Sequence, residues 1–301
     1  MIPLGLSRFG VIVRVHRLYS DQPLEPGSPA RLEGRSAHYL GRVLRVAVGD
    51  NVVLFNGDGQ DYACTVEQIR KDTVALDVRS RLPAKPESPL CITVVQAVSR
   101  GERMDLTLQK CTELGAAAFQ PVWSERVEVR LQGEKLERRL QHWQGVVVAA
   151  CEQSGRAVVP DVLAPVALDA WAARPTAEAR VLLWPGADTS LAAAECPGGV
   201  SLVVGPEGGF SDAEQARLES AGVRPVRLGP RVLRTETAAP AAVAILVGVL
   251  LAAYGLYVAK DLQIGDLARS GGESHRREAR RNGPRRDEHG RTTRSPGMRH
   301  L

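Results

Sequence analysis

Apolar and polar positions alternate with a period of two through the first quarter of the chain, in short runs broken by turn residues. Asn51-Val52-Val53-Leu54-Phe55 and Tyr62-Ala63-Cys64-Thr65-Val66 flank Asn56-Gly57-Asp58-Gly59, a strong hairpin signal. Residues 73–78 supply another alternating strand, Val15-His16-Arg17-Leu18-Tyr19 an opening one, and residues 37–46 suit one short helix. Several short strands beside one helix predict a small β-barrel over residues 15–84. The stretch Pro83-Ala84-Lys85-Pro86-Glu87-Ser88-Pro89 reads as a linker, and after it the pattern changes. Apolar strands at 91–98, 119–123, 180–184, 201–205 and 223–228 alternate with helices near 103–114 and 133–154, Gly155 standing as C-cap. That rhythm predicts an α/β domain with a parallel sheet over residues 88–260.

Two strand ends in this second region carry the chemistry. Val203-Val204-Gly205-Pro206-Glu207-Gly208-Gly209-Phe210 and Leu228-Gly229-Pro230-Arg231-Val232-Leu233-Arg234-Thr235-Glu236-Thr237 each run from an apolar strand into a Gly/Pro turn and a helix start. Ser211 with Glu214 reads as a capping box, and Gly222 stands where that helix should stop. Parallel sheets keep ligands at such ends. Glycines there let a ligand approach the backbone, whose N–H and C=O groups can read a polar heterocycle.

These loops closely resemble the cofactor loops of the SPOUT methyltransferases, and most closely those of the RsmE family. Further runs agree in order: Gln96-Ala97-Val98-Ser99-Arg100-Gly101-Glu102-Arg103-Met104-Asp105, Gln109-Lys110-Cys111-Thr112-Glu113-Leu114-Gly115, Ser124-Glu125-Arg126 and Ala150-Cys151-Glu152-Gln153-Ser154-Gly155-Arg156. The resemblance spans about residues 15–253. It implies an N-terminal PUA-like β-barrel that binds RNA and a C-terminal trefoil-knot domain that binds S-adenosylmethionine. The implied activity is methylation of N3 of a specific uridine in 16S rRNA of the small ribosomal subunit, by a cytoplasmic homodimer whose last helix lies in the interface. RNA would then span the barrel of one subunit and the knot of the other.

Residue by residue, the resemblance places the cofactor at Gly205, Pro206, Glu207, Gly208, Leu228, Gly229, Leu233 and Thr235, with Leu183 or Trp184 at the preceding strand end. Proximity and orientation can supply most of the rate of methyl transfer. Uridine N3 carries a proton, so a base must remove it or cations must stabilise the anion. Glu207, Glu236 and Glu113 are the candidate bases, and the sequence does not select among them. Arg234 serves either to position groups near the cofactor or to form a salt bridge with Glu236 or Glu207. Arg17, Arg42, Arg45, Arg100, Arg126 and Arg156 are candidate RNA contacts, Arg156 as part of a substrate wall.

Composition refines this reading. The chain of 301 residues suits two modest domains, and its net charge of +5 resembles a nucleic-acid signature until it is divided. From Leu262 onward there are ten arginines against five acidic residues, so the remainder is balanced, and that Arg/Gly/Ser-rich tail (262–301) is expected to be disordered. Residues 1–14 lie upstream of the resemblance, as an extra N-terminal segment. Five scattered cysteines lack zinc spacing, so they read as small buried thiols and no metal is expected. The apolar run 238–259 is long enough for a membrane span, but its alanine content and Thr-Glu-Thr opening favour a buried helix, with no membrane expected. Pro240 stands where the family usually has an apolar residue. A nucleotide-phosphate loop is disfavoured because Gly205-Pro206-Glu207-Gly208-Gly209 lacks the Gly-Lys-Ser/Thr ending. Two alternatives stay open: another SPOUT RNA methyltransferase, acting on a ribose 2′-oxygen or a different base, and a noncatalytic RNA-binding ribosome-assembly protein.

Overall fold

Two sheets divide the chain in the computed structural model, which describes residues 3–6, 12–83, 86–127 and 131–249. The expected tail 262–301 and residues 250–259 of the apolar run lie outside the described residues. In the extra N-terminal segment, β1 (Pro3–Leu6) and β2 (Ile12–Arg14) pair antiparallel.

The first large sheet contains β3 (His16–Tyr19), β4 (Pro29–Glu33), β5 (Asn51–Phe55), β6 (Tyr62–Ile69) and β7 (Thr73–Arg81), in the order β3-β5-β6-β7-β4. Only the β3–β5 pairing is parallel. Period-two patterning sends Val74, Leu76 and Val78 of β7 inward to meet Leu18, Leu32, Val52 and Leu54 in one core. The expected β5–β6 hairpin forms, with Gly57 and Gly59 at φ +93° and +87° in its loop.

The helix expected at 37–46 differs from its pattern. It begins earlier, as α1 (Gly34–His38), and then widens into a π-turn at Tyr39–Val43, where Leu44 N–H bonds to Tyr39 O at 2.9 Å. The wider turn buries Leu40 completely while Tyr39 and Val43 stay exposed, and Arg45 ends it in the left-handed region at φ +54°.

The second sheet is entirely parallel. Its strands are β8 (Cys91–Ala97), β9 (Ala118–Trp123), β10 (Asp161–Val162), β11 (Val166–Ala167), β12 (Ala179–Leu183), β13 (Gly199–Val204) and β14 (Arg224–Val226). They run in the order β10-β9-β8-β13-β12-β14, with β11 also on β9. All six residues of β13 are buried, as a central strand covered on both faces requires. Full burial of side chains such as Leu182 and Val203 contributes about 1.5–3 kcal/mol each. The helices are α2 (Glu102–Glu113), α3 (Glu134–Ser154), α4 (Leu168–Ala172), α5 (Asp212–Ser220) and α6 (235–249).

Helix α6 runs through Pro240. Rather than being buried all round, it buries one stripe, Ala239, Ala242, Val243 and Leu246, and leaves Ala244 and Gly248 exposed. No helix of the described residues is long and apolar enough to cross a membrane.

A polar junction ties β3 to the end of α3. Arg17 forms a 2.7 Å ion pair with Asp61 and donates to Cys151 O and Arg156 O at 2.6 and 2.8 Å, with its side chain only 5 % exposed. Glu152 accepts from Tyr19 N–H at 3.0 Å, and burial pushes its carboxyl above the ordinary value. Of the cysteines, Cys64, Cys111 and Cys151 are buried as expected, but Cys91 is exposed and Cys196 half-buried.

Candidate functional site

The loops at the carboxyl ends of β12, β13 and β14 converge on a cavity of about 400 Å³. The first wall is the turn after β13, closed by a 2.9 Å bond from Gly209 N–H to Pro206 O, with Gly209 at φ +67°. Phe210 is buried beneath it, so a side chain at Gly205 would meet that ring at 3.3 Å. The chain then enters α5 through the predicted capping box: Ser211 Oγ accepts from Glu214 N–H at 3.1 Å, and Glu214 accepts from Ser211 N–H at 2.9 Å. Glu214 also accepts from Glu125 N–H at 2.7 Å, which fastens the loop after β9 to the start of α5.

The second wall is the segment after β14. Thr235, the first residue of α6, donates its hydroxyl to Gly205 O at 2.8 Å. Gln96, at the end of β8, donates to Thr235 Oγ1 and Ala97 O, both at 2.9 Å. One amide thus ties three chain segments together behind two residues of the cavity wall. It is completely buried, and its Oε1 has no partner among the described residues.

Most of the residues expected to hold a cofactor meet here. Leu183 and Trp184 close one end, Gly205, Pro206 and Glu207 form the rim after β13, and Leu228, Gly229, Leu233 and Thr235 complete the wall. Gly208 lies off the cavity wall; its carbonyl accepts from the Arg126 guanidinium. Arg234 and Glu236 also face the cavity. Arg234 forms no ion pair among the described residues; the carboxylates expected as its partners belong to Arg103, which lies 2.9 Å from Glu207 and 3.9 Å from Glu236. Burial pushes Glu207 up, but hydrogen bonds from its own N–H and from that of Arg100, with the Arg103 guanidinium, outweigh it and hold the carboxyl below its ordinary value. Glu236 keeps one buried oxygen with no partner among the described residues. Glu113 is not in the wall; it pairs with Lys110 at 2.9 Å near the end of α2.

The six arginines expected at RNA divide. Arg42 and Arg45 are exposed beside the π-turn, and Arg100 and Arg126 lie beside the loop after β13. Arg17 and Arg156 are engaged inside the protein. Arg17 is committed to the junction described above, and Arg156 pairs with Glu87 at 2.6 Å while donating to Thr112 O and Ala116 O at 2.8 Å each. Both guanidiniums are largely desolvated and satisfy internal acceptors. Sequence reasoning missed Gln96 and Arg103 as parts of the site. For Gln96 there was a signal: an amide closing an apolar, fully buried parallel strand must find partners. Among the described residues no group of three or more His, Cys, Asp or Glu side chains could hold a metal ion.

Residues 86–247 match the family described as RNA methyltransferase domain, and residues 32–79 the one described as RNA methyltransferase PUA domain. The ribosomal RNA small subunit methyltransferase E of Mycobacterium bovis is 35 % identical over 83 % of this chain and 97 % of its own length. The protein of that name from Buchnera aphidicola of Schizaphis graminum is 30 % identical over 77 % of this chain and 96 % of its own. Among solved structures, the ribosomal RNA small subunit methyltransferase E of Neisseria gonorrhoeae bound to S-adenosyl methionine superposes with a TM-score of 0.73 at 38 % identity, covering 77 % of this chain and 96 % of its own.

Proposed function

From the premise that this chain belongs to the RNA methyltransferase family of the ribosomal RNA small subunit methyltransferases E, we propose that it methylates N3 of one uridine in 16S rRNA, using S-adenosylmethionine. The observation that carries this is the cavity at the carboxyl ends of β12, β13 and β14, which fits the cofactor. Its size suits one small molecule, its rim is glycine backbone that a Cβ at Gly205 would crowd, and Leu183, Leu228 and Leu233 offer apolar faces to a flat heterocycle. Bound there, S-adenosylmethionine supplies an electrophilic methyl carbon on its sulfonium.

The chain's own residues do the rest. Backbone groups around Gly205 and Gly229 hold the adenosine, and Thr235 with Gln96 fixes the distance between the two loops. The proton on uridine N3 goes to Glu236, whose unpaired oxygen distinguishes it from Glu207, already engaged by Arg100 N–H and Arg103. Arg234 and Arg103 offset the charge that develops as the proton leaves. Arg42, Arg45, Arg100 and Arg126 contact RNA, and residues 15–84 serve as the RNA-binding PUA-like module.

The knotted crossing belongs to this reading and is supported by the return of the chain at Thr235 to the loop after β13. So does the homodimer, supported by the small apolar residues that α6 leaves exposed and by Val232, 80 % exposed just before it. The site of action is the cytoplasm, where small subunits are assembled. The test is methyl transfer from labelled cofactor to unmodified small subunits, with nucleoside analysis. One 3-methyluridine is expected with the unaltered chain, and none with Glu236→Gln, which should still bind cofactor. A ribose-methylated product would replace this reading with another RNA methyltransferase activity.

A further inference from the structure

A second cavity, of about 270 Å³, opens on the same carboxyl edge of the parallel sheet, at the ends of β8 and β9. Glu207 belongs to the walls of both cavities. Among its described lining residues, the buried side-chain atom left without a partner is a donor. Trp143 of α3 lines it and is 1 % exposed, and its indole N–H has no acceptor among the described residues. An indole nitrogen can only donate, so this buried group lacks something to give its proton to. Arg139, one helical turn earlier and half-buried, forms no ion pair among the described residues. Gly101 is the N-cap of the twelve-residue α2 and provides no side-chain cap, so the positive end of that helix also meets the cavity. Arg126 adds a guanidinium. The one carboxylate among the described lining residues, Glu207, is already balanced by Arg103 at 2.9 Å.

An acceptor-only, negatively charged group of modest size answers all of these. We propose that this cavity is a built site for a backbone phosphate of the substrate RNA, bound by Arg139, the Trp143 indole N–H and the α2 N-terminus. A phosphate contact of this kind carries no sequence information but sets the register of the strand. Seated beside the cofactor cavity, it holds the strand so that one neighbouring nucleobase, and no other, reaches that cavity. The proposal rests on the RNA methyltransferase reading for its ligand, and on geometry alone for its anion chemistry.

The test uses the full chain in two arms. In the first, methyl transfer to small subunits is measured for the unaltered chain and for Arg139→Gln over a range of salt. The variant should raise KM for subunits roughly tenfold, reduce the slope of log affinity against log salt by about one, and leave KM for the cofactor unchanged. A merely structural role for Arg139 would not move the salt slope. In the second arm, inorganic phosphate is titrated while tryptophan fluorescence is followed. A saturable change is expected that Arg139→Gln weakens and Trp143→Phe abolishes. An unchanged KM and slope in Arg139→Gln overturns the RNA assignment. If phosphate still binds saturably in that case, the cavity serves a free anion instead. Absence of any phosphate response, with an unchanged slope, removes the site altogether. Failure of the unaltered chain to methylate subunits would sink the enzymatic reading, while the phosphate arm still judges the cavity.

Discussion

Gly205 has no room for a side chain, and the reason is local. A Cβ there meets the Phe210 ring at 3.3 Å and Gly209 Cα at 3.5 Å, so a branched side chain must push either the ring or the turn out of place. Overpacking of this kind costs about 1–3 kcal/mol, and here the strain falls on the rim of the cofactor cavity. Gly205→Val is therefore expected to weaken S-adenosylmethionine binding by more than roughly tenfold in calorimetric titration, where the cost is about 1.4 kcal/mol per decade. Normal affinity would place the cofactor elsewhere. Thr235 shows the same economy of position in a polar group. Its hydroxyl is both donor and acceptor, to Gly205 O and from Gln96, so an apolar isostere loses both bonds and leaves the 3.3 Å contact from Gln96 to Gly205 O.

Helix α5 is held at its start by contacts that link the loop after β9, the loop after β13 and the helix itself. Ser211→Ala should cost about 1 kcal/mol in urea denaturation, from the lost cap. It should also loosen Glu125, which accepts from the same hydroxyl at 2.7 Å. Loss of well under half that value would mean that Glu214 and Arg217 hold the helix start unaided. This cap was legible because Ser211 and Glu214 stand three residues apart and recognise each other through local geometry. The same holds for the ends of α3, where Gly133 and Gly155 take positive φ, and for the parallel strands, whose apolar runs have no other stable arrangement. The π-turn at Tyr39–Val43 was not legible, since burial of Leu40 against the distant β-sheet decides it. Nor were the roles of Arg17 and Arg156. In sequence they look like Arg42, but their acceptors lie from 40 to 139 residues away, and only the folded chain brings those carbonyls to them.

Across the whole molecule, the contacts from β3 to the end of α3 tie the first large sheet to a helix of the parallel-sheet domain. Arg17→Met leaves Asp61 buried with its ion-pair partner gone, an arrangement that costs about 3–5 kcal/mol. Such a loss should appear as a large fall in the denaturation midpoint, with cofactor affinity little changed because the cavity lies at the far loops. A midpoint within error of the unaltered chain would mean that the remaining contacts, the Tyr19–Glu152 bond among them, hold the junction without Arg17. The loop 205–209 has a different consequence at this scale. Because Glu207 belongs to the walls of both cavities, one side chain of this loop is shared between them. Any coupling through that side chain would be reciprocal: the factor by which bound cofactor tightened a strand would be the factor by which the strand tightened cofactor.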